Sequence, residues 1–108
     1  MSNYVYIAGP YSRGDPVINV GKAIKAAEQL VEFGFIPFVP HLTHLWHLIN
    51  PHEIEYWYKY DNEWLLKCNA VLRLPGDSRG ADAECRLAEK NNIPVFLSIV
   101  DLCLWCSE

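Results

Sequence analysis

The seven residues Ser78-Arg-Gly-Ala-Asp-Ala-Glu84 follow a hydrophobic run that ends in Pro75-Gly76, and they place two acids within one turn of a Ser-x-Gly loop. Gly80 opens a helical pattern. The free backbone N–H groups and positive dipole end at such a start make a small anion site beside the Ser78 hydroxyl and Arg79, sized for one phosphate. Ser78 equally fits the plainer role of a helix cap. Glu84 falls about one turn into the helix, where side chains lean back toward the N-terminus and the dipole favours an ionised carboxylate, a nucleophile or an electrostatic stabiliser. Asp82 is rotated well around the helix from Glu84 and reads mainly as a first-turn dipole partner, with ligand contact as its lesser alternative. Asp61 lies on the preceding helical segment among Tyr58, Tyr60 and Trp64. A lone acid is ordinarily solvated, but if that helix flanks the next strand Asp61 approaches Glu84, and neighbouring carboxylates in an aromatic site split their pKa values. One acid to handle a leaving group and one charge to stabilise an oxocarbenium-like centre is what breaking a glycosidic bond requires.

The elements that must position these groups follow from periodicity. Tyr4-Val-Tyr-Ile-Ala8 is a β-rich run that stops at Gly9-Pro10. Pro16 starts a helix on which Val17, Val20, Ala23, Ile24, Ala27, Leu30 and Val31 recur at helical spacing until Gly34. Residues 35–39 form a second strand, and Pro37 assigns it to a sheet edge or a strand start. Residues 40–52 hold two prolines and all four histidines with no clean period, which reads as a long loop with room for a helical turn. A helix over 53–67, with Trp57, Tyr60, Trp64 and Leu65 near one face, precedes a third strand at 70–74. A helix over 80–90, capped by Asn91-Asn92, precedes a fourth strand at 94–97, and the final eight residues extend the core or make an interface. Alternating strands and helices predict an α/β fold of one domain over 1–108: a small three-layer, doubly wound, flavodoxin- or Rossmann-like arrangement with a mainly parallel sheet of order 2-1-3-4. Ligands bind such sheets outside the carboxyl ends of the strands where the order reverses. Here those ends are the turn Gly9-Pro10-Tyr11-Ser12 and the loop Pro75 to Gly80, so the opening heptapeptide lies in the expected crevice.

Composition bounds the partners. With 108 residues, 51% hydrophobic and 20% charged, the chain has material for one core and none of the bias of a disordered polymer. Nine basic against thirteen acidic side chains leave a net charge of −4, so no global positive field is available for polymeric nucleic acid. The start MSNYVYIAGPYS lacks the pattern of a signal peptide and no apolar run reaches membrane-spanning length, so a cytoplasmic protein without a membrane partner is expected. In that compartment Cys68, Cys85, Cys103 and Cys106 are expected as buried thiols. The single Cys103-x-x-Cys106 has no second pair with which to bind zinc.

Three stretches together resemble the nucleoside 2-deoxyribosyltransferase-like superfamily: Tyr4-Val-Tyr-Ile-Ala-Gly-Pro-Tyr-Ser12, the Asp61-x-x-Trp-Leu65 helix followed by Ala70-Val-Leu, and Ser78-x-Gly-x-x-x-Glu84. The resemblance spans residues 4 to about 97. It implies that Glu84 is the nucleophile, or its equivalent, in N-glycosidic cleavage, that Asp61 has acid or positioning duties, and that Tyr6 positions the glutamate or the sugar. The family divides into transferases acting on free 2'-deoxynucleosides and hydrolases acting on 2'-deoxynucleoside 5'-monophosphates. In motif the chain is nearer the hydrolases, whose Ser-x-Gly serine helps hold the 5'-phosphate and is matched here by Ser78 and Gly80. It departs from them at Pro10, where the hydrolases carry a serine, although Ser12 and Arg13 lie close by. Family members also complete the site with a polar residue from a neighbouring subunit, for which the tail shows no match. A homodimer or larger homo-oligomer is the implied assembly.

The expectation is therefore a site with Glu84, Asp61 and Tyr6 at the chemistry and Gly9, Pro10, Ser12, Arg13, Ser78, Arg79 and Gly80 around the substrate and its phosphate. The ligand is a small nucleotide or nucleoside, and no cofactor is expected. His41, His44 and His47 recur every third residue, but that spacing on irregular backbone does not make ligands converge, so roles as a lid or base contact, His41 included, are favoured over a metal site. Trp46, Trp57, Tyr58 and Trp64 fit base stacking, core or interface. A transferase and a binding module without turnover remain the alternatives to a hydrolase.

Overall fold

A computed structural model describes residues 3–107. Four strands, β1 (Tyr4–Ala8), β2 (Ile36–Phe38), β3 (Ala70–Arg73) and β4 (Val95–Phe96), form one sheet of order β2-β1-β3-β4. Every pairing is parallel, with Tyr6 opposite Phe38 on one side and Val71 on the other. Five helices connect and cover the strands: α1 (Pro16–Glu32), α2 (Thr43–Ile49), α3 (Ile54–Leu65), α4 (Arg79–Lys90) and α5 (Ile99–Cys106). The fold is the doubly wound α/β arrangement read from the sequence, with Pro37 on the edge strand, where its missing donor is tolerated.

Side chains alternate across the sheet, so each strand feeds two cores. Val5 and Ile7 of β1 with Ala70 and Leu72 of β3 meet Ala23, Ala26 and Leu30 of α1 and Leu102 of α5. Tyr6, Ala8 and Val71 face the other way, toward Leu65 of α3 and Ala81 and Ala88 of α4. Asp15 caps α1 by accepting the Val17 and Ile18 amides at 2.9 and 3.4 Å, and Pro16 supplies the first turn. Only Ala23, Ala26 and Leu30 of α1 are buried, whereas Val17, Ile24 and Val31 are exposed. A helix of this length runs to about 25 Å against about 16 Å for β1, so its end turns overhang the sheet.

The structure corrects the reading of residues 40–52. A 3-10 turn at Pro40–Leu42 runs directly into α2, giving a helix of seven residues where a loop was expected. No α2 residue is buried, so no core imposes an apolar period on the sequence. Ile99–Cys106 form α5, whose Trp105 packs on Phe96 with ring centroids 5.3 Å apart; of the final stretch, Glu108 lies outside the described residues. Helix α4 starts at Arg79, one residue before Gly80, because Ser78 caps it.

The loops after β1 and β3 lie against each other at the carboxyl end of the sheet. Gly76 has a φ of +114°, and a Cβ there would sit 2.9 Å from the Pro10 ring. Both the backbone angle and the close approach require glycine. Gly76→Ala is therefore expected to destabilise the protein by about 1–3 kcal/mol, read as a lower denaturant midpoint with unchanged slope.

Candidate active site

Each of the two acids occupies the core-facing stripe of its helix. On α4 the half-buried Glu84 lies between the buried Ala81 and Ala88, and on α3 the half-buried Asp61 lies between the buried Trp57 and Leu65, so each carboxyl has a buried residue one turn before and one turn after it. The small side chains of Ala81 and Ala88 bring α4 close to the sheet. There the fully buried Tyr6 donates its hydroxyl hydrogen bond to Oε2 of Glu84. Tyr6 is held by stacking on Phe38, whose ring stacks in turn on Trp64, at centroid separations of 5.6 and 5.4 Å.

Burial governs the electrostatics. It lifts the Glu84 carboxyl to about 7, and the Tyr6 hydrogen bond and the Arg73 charge oppose the rise. Burial first, and the negative charge of Glu84 second, lift Asp61 to about 7. Burial and the same two acids push the Tyr6 phenol far above its ordinary value, so Tyr6 remains a donor. Two carboxyls that interact in this way titrate as a pair and hold about one proton between them near neutrality. Glu84 has a donor and a nearby cation to stabilise its charge. Asp61 has neither, and its Oδ1 is buried without a hydrogen-bond partner. The proton therefore resides on Asp61 and the charge on Glu84.

Both acids line one cleft of about 1020 Å³ at the carboxyl ends of β1 and β3. Gly9, Ser12, Arg13, His41, Ser78, Arg79 and Gly80 line it as well. Ser78 Oγ accepts the Ala81 amide at 3.1 Å, so its hydroxyl proton and the first amides of α4 remain available to a ligand. Tyr6 does not line the cleft and is joined to it through its hydrogen bond to Glu84. Pro10 faces a neighbouring hollow of about 340 Å³ with Gly76. Arg13 reaches Asp77 only at 3.9 Å, both being exposed, so the pair holds it weakly. Asp82 points away from the cleft and pairs with Arg73 at 2.9 Å. His41 is buried, its Nε2 is 3.0 Å from the Pro10 carbonyl, and burial lowers its pKa and keeps it neutral.

Several contributors escaped sequence reading. Arg73, at the end of β3, donates to the Leu74 and Gly76 carbonyls as well as to Asp82, and so ties strand, loop and helix together. A charge in the last position of a central strand was its visible signal. Asn19 on α1 donates to the Tyr11 and Arg13 carbonyls at 2.9 and 2.7 Å and shapes the first loop. Tyr11 hydrogen-bonds His44 across the cleft rim, a contact between distant segments with no local pattern to announce it. Among the described residues no group of three or more His, Cys, Asp or Glu gathers to hold a metal ion, and no helix is long and apolar enough to cross a membrane; the four thiols are free, but only Cys68 is buried, whereas Cys85 and Cys103 are half-buried and Cys106 is exposed, against the expectation of four buried thiols.

A carboxyl raised on folding stabilises the folded state least when both states are ionised. Its contribution is fully present below the unfolded value of 4.5 and is lost as pH rises through about 7. Glu84→Gln removes that loss. The variant is expected to match the wild type near pH 4 and to exceed it in stability at pH 8 by on the order of 2 kcal/mol, as read from urea unfolding across that range.

Comparison with solved structures matches the fold to a 2-deoxyribosyltransferase from the psychrotolerant bacterium Bacillus psychrosaccharolyticus, described as a biocatalyst for the synthesis of antiviral and antitumoral nucleosides. The TM-score is 0.66 at 19% sequence identity, over 85% of this chain and 69% of that chain. At that identity the likeness is one of fold. No curated protein matches the chain. A family model described as a domain of unknown function (DUF7768) matches residues 3–98, which include all four strands and both acid-bearing helices, and the chain belongs to that family.

Proposed function

We propose that the cleft cleaves the N-glycosidic bond of a (deoxy)nucleoside 5'-monophosphate. The observation that carries this reading is the division of labour between two half-buried acids in one cleft: Glu84 is held charged by Tyr6 and Arg73, and Asp61, whose Oδ1 has no partner, holds the proton. The phosphate meets the N-terminus of α4 at Ser78, Arg79 and Gly80, with Gly9, Ser12 and the exposed head of Arg13 across from it. Glu84 then faces the anomeric carbon. As the base departs, Asp61 gives it a proton and Glu84 stabilises the positive sugar centre, either as a nucleophile or as a fixed charge. Water accepts the sugar, releasing free base and sugar 5-phosphate.

A second reading, transfer of the sugar to another base, is favoured by the fold shared with a 2-deoxyribosyltransferase. Adding a second base separates the two readings, since exchange rather than sugar phosphate marks the transferase. Tight nucleotide binding without product marks a binding module.

Incubation with a panel of nucleoside monophosphates and nucleosides, followed by chromatography for free base, tests the proposal directly. Release is expected from monophosphates, with a bell-shaped pH dependence centred near 7 because each acid must hold a different protonation state. Glu84→Gln is expected to abolish release while ligand affinity persists, and Asp61→Asn to lower kcat by roughly 100-fold or more. A folded protein that releases base from no member of the panel overturns the assignment.

A further inference from the structure

The β2 side of the cleft carries a donor whose orientation the fold fixes. His47 on α2 lines the cleft, and two N–H groups converge on its Nδ1: the indole of Trp57 at 2.8 Å and the backbone amide of His52 at 3.3 Å. A nitrogen that accepts two hydrogen bonds presents a lone pair, so in the neutral ring the proton is on Nε2. The surroundings hold this tautomer in place. Trp57 is buried and meets the His47 ring edge-on with centroids 6.0 Å apart, and the His52 ring stacks on Tyr56 at 4.2 Å. Nε2 is the one polar atom of the ring left over. Among its neighbours in the lining, which also hold His44, His52 and Glu53, the Ile54, Trp57 and Tyr58 side chains offer apolar and aromatic surface for the flat face of a base, whereas the start of α4 follows β3.

We propose that His47 Nε2–H reads a hydrogen-bond acceptor, a carbonyl oxygen or a bare ring nitrogen, on the base of the nucleotide. This assignment rests on the nucleotide reading of the cleft and specifies which end of the ligand lies where. The site then takes bases that present an acceptor edge to the α2–α3 wall. An apolar base of the same shape leaves the His47 N–H desolvated and unpaired, and the ligand pays for it in affinity.

Calorimetry in the Glu84→Gln background, where turnover does not interfere, tests the contact. The probes are thymidine and deoxyadenosine 5'-monophosphates and their apolar shape mimics, with difluorotoluene and methylbenzimidazole in place of the bases. At least one natural nucleotide is expected to bind about tenfold more tightly than its mimic. His47→Phe should erase that preference, and His47→Gln, which keeps an N–H donor, should restore part of it. Nucleotide binding with no preference, or with a preference that survives His47→Phe, overturns this inference and leaves the glycosidase reading intact. Failure of every nucleotide to bind overturns both. Nitrogen NMR of the wild-type imidazole is a check independent of any variant: a proton on Nε2 supports the contact, and a proton on Nδ1 overturns it.

Discussion

The site depends on a carboxylate placed where a helix would otherwise present a hydrophobic side chain. Glu84 sits between Ala81 and Ala88 on the buried stripe of α4, and Tyr6 reaches it from the middle of β1. Removing a charged carboxylate from water is expensive unless donors replace the lost hydration. Tyr6 and Arg73 supply part of that replacement, and the remainder appears as a raised pKa. Many features of the fold follow from the need to hold this pair. The parallel register places Tyr6 beside Phe38, the Phe38–Trp64 stack fixes the phenol, and the two alanines let α4 approach closely enough for the hydroxyl to meet the carboxylate.

Arg73 connects this pair to the rim. It is the cation near Glu84, and its guanidinium is mostly buried and occupied by the Leu74 and Gly76 carbonyls and by Asp82. A planar, permanently charged fork can serve several acceptors at once, which a lysine cannot do in the same geometry. One side chain therefore sets the course of the β3 loop, anchors the first turn of α4 and tempers the rise in the pKa of Glu84. Asn19 does the corresponding work for the β1 loop by binding its carbonyls from α1. Both loops are shaped from behind, away from the cleft, so the groups that face a ligand are not consumed in shaping them.

Most of the fold was legible because its signals are local. Strands of β-branched and aromatic residues end at Gly-Pro or Pro-Gly, and a Pro-initiated helix follows the first of them, so element order fixes the topology once parallel crossovers are assumed. Helix α2 was not legible, because the amphipathic period is imposed by a core and α2 has no buried residue. Of the site, the roles of Glu84 and Asp61 could be posed from sequence, and the pattern of an acid flanked at helical spacing by Trp57 and Leu65, or by Ala81 and Ala88, was present though unread. Asp82 illustrates the limit. Its partner Arg73 is nine residues away across a loop, so its orientation is a property of the tertiary structure. Tyr11 and His44, and Trp57 and His47, meet for the same kind of reason.

The distribution of unmet hydrogen-bonding capacity separates a binding cleft from an ordinary groove between helices. Native interiors satisfy nearly all their buried polar atoms, and an exception calls for an explanation. Among the described residues, two buried side-chain atoms lack a partner, Nδ1 of His41 and Oδ1 of Asp61, and both side chains line the same cleft. The loops around them show that the chain can satisfy its polar groups where structure alone is at stake: Ser78, Asp15, Asn19 and Arg73 all have partners. A fold that satisfies its caps and loops yet leaves an acid and an imidazole unsatisfied in one cavity tolerates a cost of about 1–3 kcal/mol for each. On the proposed nucleotide reading a polar ligand recovers that cost, and for Asp61 the lack of a partner that destabilises its charge keeps its proton in place.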